Sequence, residues 1–548
     1  MTPVVVAKES GRDESYLIWM VFASLLVVGI STLIQVRRLG PVGAGAVLPM
    51  FTAAFAIPFC ITAVVDGGPA TLTTLIIASA LFQIIISKSL FVLRRVVTPI
   101  VSGTVIMILS ITLASVVFDL LDEASEMEPV AAPSTALITL VIVVALSLRG
   151  SAAMRLWAPV IGIVAGCAAA AGFGIYDVNR ITDPAWVGVP AEWPGLGLDF
   201  GVDFWVLLPS FLFLGVIISI QVNGESITMQ RVSSREPKAI DFRRVQGGLA
   251  GTGVGNLLAG VAGAVPLVIN PGAVPFTQIT GVASRRIGYV IGTVFILVAF
   301  LPKVSGLLST IPGPVIAGYL ILVIGTLFVD GARTIIQNEH NRSRLIVAGI
   351  SFWIGASFQF TLFNLPDLGP VMGALLKSAV TTGGVSAVLM IVFLELTSYR
   401  RMRFQARLHV DSLPELTQFI GRFSDSRGWD QAMKERLGAV AEETLLTLAP
   451  LDLEAELEEE PPSAYTIQRQ LVVLASSDGP IADLEFIGGD NEENLEDRIR
   501  QMQDHEEETP IDTEISLRLL RRYASSVRHQ QFHDTDIITV RVGPPGTR

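Results

Sequence analysis

Between Tyr16 and Thr397 the chain is a succession of apolar segments, most of them close to the roughly twenty residues that one bilayer crossing requires. They fall at 16–35, 44–65, 69–87, 96–120, 133–148, 156–176, 203–223, 246–265, 274–284, 287–308, 312–332, 345–363 and 371–397. That makes about thirteen spans, counting 274–284 as a short half-helix. A mean hydropathy of +0.57 and a charged fraction of 16% point the same way and exclude an ordinary soluble enzyme. The expected class is a mainly α, multi-pass membrane protein with residues 1–15 as a short N-terminal flank, too polar for a cleavable leader.

Basic residues test this assignment, because cytoplasmic loops keep Lys and Arg while short translocated loops do not. Alternate connections carry them, from Arg37 and Arg38 through Arg231, Lys238, Arg243 and Arg244 to Arg403 and Arg407. The intervening loops, such as 66–68, 121–129 and 364–370, hold almost none. This alternation places the C-terminal tail in the cytoplasm and the N-terminus outside. The net charge of −11 belongs to the tail, where acid gathers at 454–458 and 504–508. Cys60 and Cys167 sit in apolar segments without a CxxC pattern, and all five histidines fall in loops or tail. Neither a metal, a cofactor nor an intramembrane histidine relay is indicated.

Two apolar stretches are interrupted in the same manner. Pro266, Pro271, Gly272 and Pro275 break the segment that begins at Gly263, and Pro49 and Pro58 bracket LPMFTAAFAIPF (48–59) after the glycine-rich GPVGAG (40–45). Proline removes backbone donors, and lipid cannot satisfy the freed groups, so such a break survives where protein or substrate meets them. A matched pair of breaks is the sequence pointer to a midplane site in an inverted-repeat transporter, although a channel uses breaks too.

Several motifs resemble the nucleobase/ascorbate transporters, which include the xanthine/uracil permeases. They are GPVGAG (40–45), LRRVVTPIVSGTV (93–105), QVNGESIT (221–228), RRVQGGLAGTGVGNLLAG (243–260), QITGVASRRIG (278–288) and IPGPVIAG (311–318), in the family's order across 16–397. The resemblance implies fourteen spans in two inverted repeats, a core domain moving against a gate domain, and substrate held between short strands of the two broken segments. Phe55 matches the family's aromatic beside the first strand. The acid that binds the nucleobase in the family is Gln221 here, and the polar readers of the second segment are replaced by Gly272 and Ala273. Phe55, Gln221 and Asn270, with backbone groups of Pro271, Gly272 and Ala273, remain as the candidate substrate site. Glu225 is then the carboxylate left near it and the candidate for coupling, since an intramembrane acid is expensive and by default functional. Its bland alternative is a solvated acid near Arg231, as Lys377 is a snorkelling side chain.

The family's first span has no counterpart. Either translation starts further upstream or the chain is truncated, and the outside N-terminus favours an in-frame continuation before Met1.

After residue 400 the pattern becomes soluble α/β. Two amphipathic helices (413–450), a hairpin (469–488), and a helix (515–532) followed by a strand (536–542) are expected. The layout resembles anti-sigma-factor and histidine-kinase-type ATPases, but Glu442 and Glu443 are followed four residues on by Leu446 and Thr447 where the family has Asn. The nucleotide-binding residues do not carry over.

The expected domains are a permease domain at 16–399 and a cytosolic regulatory domain at 400–548. The expected function is secondary transport of a xanthine- or uracil-like nucleobase by alternating access, coupled to a proton or sodium, in the inner membrane. A homodimer and a cytosolic signalling partner for the tail stay open; nucleic acid is not an expected partner. A membrane sensor signalling through the tail, or a carrier of another small organic or anionic substrate, are the alternatives.

Overall fold

The computed structural model describes residues 1–88, 98–176, 186–190, 195–234, 238–270, 272–338, 342–360, 379–397, 402–448, 470–478, 480–488, 495, 519–520, 522–532 and 536–543. Pro271, Lys377, both acidic runs of the tail, the Gly479 turn position and residues 515–518 and 521 of the helix expected at 515–532 lie outside these residues. The chain divides into two compact units, residues 1–233 with 244–392, and residues 234–243 with 393–548.

In the first unit, α1 (Thr2–Glu9) and α2 (Glu14–Arg37) lead to β1 (Met50–Thr52), a 3-10 turn (Ala54–Ala56) and α3 (Ile57–Asp66). Next come α4 (Gly68–Lys88), α5 (Pro99–Met127), α6 (Ala131–Arg149), α7 (Ala152–Gly172), α8 (Val202–Ser233) and α9 (Phe242–Ala262). The second interrupted segment follows as β2 (Leu267–Ile269) and α10 (Ala273–Thr280). The helical series closes with α11 (Arg285–Ala299), α12 (Pro302–Ser309), α13 (Gly313–Asn338), α14 (Arg342–Gln359) and α15 (Ala379–Thr397).

Among the described residues, six helices are long and apolar enough to cross a membrane: α2, α4, α5, α6, α8 and α13. The stretch 287–308, expected as one span, is instead bent by 86° between α11 and α12. Pro302 causes the break, since it has no N–H to donate and suits the first turn of a new helix. The N-terminal flank also differs from expectation. Val4, Val5 and Val6 are fully buried in α1, which is fixed at its end by Lys8 Nζ donating to Ile311 O at 2.9 Å.

Glycines decide how closely α9 approaches its neighbours. Gly43, in the turn after α2, has φ +95°, and a Cβ there would lie 2.3 Å from Ile34 O, so only glycine fits. A Cβ at Gly247 of α9 would meet Gly43 O at 2.4 Å, and Gly43 N donates to Gly247 O at 2.7 Å. Helix backbone therefore touches turn backbone directly.

The second unit holds an antiparallel sheet ordered β3-β4-β5-β7-β6. Its strands are β3 (Met402–Arg407), β4 (Gln470–Asp478), β5 (Ile481–Ile487), β6 (Ser526–Gln531) and β7 (Asp536–Val542), with α16 (Leu413–Arg427) and α17 (Gln431–Leu448). Phe419 and Phe423 of α16, Leu437 of α17 and Val473, Phe486 and Val540 of the sheet share one core. The two helices and the β4–β5 hairpin fall where periodicity placed them. The end of the expected 515–532 helix does not: 526–531 is β6, and its burial alternates, with His529 and Gln531 inward and Arg528 exposed. That is a period of two, the strand's signature. β3 was hidden in the same way, inside what reads as a basic connection.

Candidate substrate site

The two interrupted segments meet. β1 pairs with β2 antiparallel, Met50 opposite Ile269, Phe51 opposite Val268 and Thr52 opposite Leu267. The pairing is extended at both ends, where Ala53 N donates to Pro266 O and Asn270 N to Pro49 O, each at 2.9 Å. A sheet of two three-residue strands leaves outward-pointing backbone groups that must find partners inside an apolar unit. Side chains supply them. Met50 N donates to Thr32 Oγ1 of α2 at 3.0 Å. Across the pair, Leu267 N donates to Asn256 Oδ1 of α9 at 2.6 Å, while Asn256 Nδ2 donates to Leu267 O at 3.1 Å and to Gln83 Oε1 of α4 at 2.9 Å. Gln35 ties the preceding turn to α9: its Nε2 donates to Gly248 O and Thr252 Oγ1, and its Oε1 accepts from Ala44 N.

These four polar residues, Thr32, Gln35, Gln83 and Asn256, were not singled out from sequence. All are buried, and the signal for them was available: amides and hydroxyls inside apolar spans flanking both breaks.

The sequence-derived candidates are placed as follows. Phe55 is buried in the 3-10 turn directly after β1. Asn270 follows β2, but its Oδ1 accepts from Gly272 N at 2.9 Å, so this oxygen closes the turn into α10, as Asx side chains do. Gly272 is the N-cap of α10, and Ala273 its first residue; Pro271 lies outside the described residues. Gln221 and Glu225 stand one turn apart on α8 and share a face. Asp330 of α13 is a neighbouring acid of Glu225. Between Gln221 and Glu225, Asn223 has its Oδ1 buried with no hydrogen-bond partner among the described residues.

Helix α8, which carries Gln221 and Glu225, is the element common to both interrupted segments. It packs against α3 of the first interrupted segment and against β2 and α10 of the second. A cavity of about 170 Å³ also opens beside β1, lined by Val21, Ser24, Val28, Phe51, Thr52 and Phe295 among others. None of the sequence-derived candidates lines it.

A helical unit whose two interrupted segments join through a strand pair and share α8 has the organisation of a solute-carrying membrane protein, with irregular backbone confined to where protein can satisfy it. The chain belongs to the Permease family: the Xan_ur_permease family model matches residues 1–362. It is thus an integral membrane protein and a permease rather than an enzyme. The xanthine permease XanP of Escherichia coli (strain K12) is 27% identical over 401 residues, covering 69% of this chain and 84% of that protein. The nucleobase transporter PlUacP of Paenibacillus larvae is 24% identical over 401 residues, covering 71% of this chain and 89% of that protein. Among solved structures, the transmembrane domain of a cyanobacterium bicarbonate transporter, BicA, is similar with a TM-score of 0.44 and 17% identity, over 71% of this chain and 93% of that one.

Proposed function

We propose that the protein transports a xanthine- or uracil-like nucleobase by alternating access, driven by a proton or sodium gradient. The observation that carries this reading is the contact of α8 with both interrupted segments, in a chain that aligns with a xanthine permease over most of that permease's length. Phe55 offers an aromatic surface beside β1. Gln221 offers an amide that can donate and accept towards a ring amide edge, as can the amide nitrogen of Asn270 together with backbone groups of Pro271, Gly272 and Ala273. Glu225 carries the coupling charge. The second unit is a cytosolic regulatory domain, related in layout to the anti-sigma-factor and histidine-kinase-type ATPases without their chemistry.

Uptake of radiolabelled xanthine and uracil into cells expressing the full chain, with and without a proton uncoupler, tests the reading. Accumulation that collapses with uncoupler or with sodium removal is expected. An inserted, folded protein that accumulates neither base would reject the nucleobase assignment. One observation favours a second reading, a sensor that binds the base without coupled transport: residues 234–243, which follow α8 in the chain, belong to the second unit.

A further inference from the structure

The connection between α8 and α9 is built into the C-terminal unit. Residues 234–243 cluster with 393–548, and two contacts show how. Asp241 forms a parallel β-bridge with Gln531, on the edge strand β6. Beside it, Phe242 stands against Phe532 with ring centroids 5.1 Å apart and planes at 36°. Gln531 and Phe532 are both buried, so the contact is seated in the unit and not draped over its surface. Asp241 is itself held in shape, its Oδ1 accepting from Arg243 N at 3.0 Å and from Arg243 Nε at 3.3 Å. Beneath the bridge β6 is stiffened. His529 Nδ1 accepts from Leu495 N at 2.9 Å, which leaves the ring proton on Nε2, 3.3 Å from Asp536 Oδ2 on β7.

Chain connectivity gives this contact its meaning. Ser233 ends the helix that carries Gln221 and Glu225, and Phe242 begins the helix whose Asn256 holds β2. An edge strand is a natural template for added backbone, and here the backbone it takes is the link between the two site-bearing helices. We propose that the C-terminal unit is a built-in restraint on α8 and α9: β6 grips residues 241–242, and loosening that grip frees the cytoplasm-side ends of both helices to move. Anything that competes for the β6 edge, such as an extended segment of a partner, would act on the substrate site through this link.

The test is hydrogen exchange on the purified full chain, reading residues 226–233 of α8 and 244–250 of α9. Phe242→Ala removes one ring and leaves the sheet core untouched; exchange in both segments should rise about tenfold, the scale expected when a packed aromatic pair is lost from a locally opening element. A second variant works in the opposite sense. Asp241→Cys with Gln531→Cys, in a Cys60→Ser, Cys167→Ser background, should form a disulfide that slows exchange in both segments and releases them on reduction. Unchanged exchange in α8 and α9 in both variants overturns the proposal, as does failure of the cysteine pair to link in folded protein. Uptake of xanthine by the same variants reports separately on transport. An exchange response without any xanthine uptake would reject the nucleobase reading and leave the restraint standing.

Discussion

Asn256 ties β2 to α9 through its side-chain amide. It meets both the N–H and the C=O of Leu267, and a buried backbone group left unmet costs about 1–3 kcal/mol. Asn256→Ala should therefore lower the thermal unfolding midpoint in detergent by several degrees and abolish uptake, while an unchanged midpoint would show that β2 does not depend on it. Closer to solvent, Asp199 precedes α8 and accepts from Thr71 Oγ1 at 2.7 Å and from Gly201 N at 2.9 Å. The Thr71 hydroxyl, then the Gly201 N–H, hold its carboxyl below the usual carboxylate range. A lowered folded-state value stabilises the fold above the unfolded value, about 3.9, and the contribution fades as pH falls through the folded one. Thermal unfolding from about pH 6 to about pH 3 should thus show a shallower acid loss in Asp199→Asn than in the parent; parallel curves would remove Asp199 from the account. Asn256 shows how the surroundings of the strand pair hide in sequence. Phe55 and Gln221 are candidates nominated by matching a pattern, whereas Asn256, in a glycine-rich helix, lies eleven residues before its partner, and only the fold reveals what its amide meets.

The elements were legible to different degrees. Apolar length placed α2, α4 and α6 within two residues of their ends, while α5 and α8 run on to Met127 and Ser233 through polar residues beyond the apolar segments, and prolines located both breaks. Length could not reveal the bend at Pro302, because α11 and α12 together have the hydropathy of one crossing. In the tail, mixed polar composition masked β6, where the alternation of inward His529 and Gln531 with outward Arg528 uses residues that do not read as apolar. Nor could a linear reading assign residues 234–243 to the C-terminal unit, since that membership is made by contacts almost three hundred residues along the chain, as between Asp241 and Gln531. Close packing of α9 is the element-level feature most open to attack. Gly247→Val would push a branched side chain against Gly43 O, and overpacking of this kind costs typically about 1–3 kcal/mol. The expected outcome is a lower unfolding midpoint with the hydropathy profile unaltered. A variant as stable as the parent would mean that the turn at Gly43 can yield.

For the whole molecule, coupling and regulation are the testable properties. Glu225→Gln keeps the shape and removes the change of charge, so pH-dependent accumulation should be lost while exchange of bound base continues; accumulation as in the parent would locate coupling at another group, with Asp330 the first to examine. In the C-terminal unit, Thr447 Oγ1 is engaged by Glu443 O at 2.7 Å within α17, and Leu446 has no ligating atom. Neither replaces the magnesium-binding Asn of the ATPase layout proposed above for this unit. The full chain should show no magnesium-dependent ATP binding or autophosphorylation, and either activity would make this unit an active kinase. The strand pair also sets an order of events during biosynthesis. Met50 cannot meet Ile269 until roughly 220 further residues have left the ribosome, a wait of roughly 10–45 s at about 5–20 residues per second. For that interval the nascent β1 has one edge answered by Thr32, which is synthesised before it, and the other answered by nothing of its final structure. The first half of the chain thus reaches the bilayer as an unfinished sheet, and its insertion machinery must shelter that open edge until the second half arrives to close it.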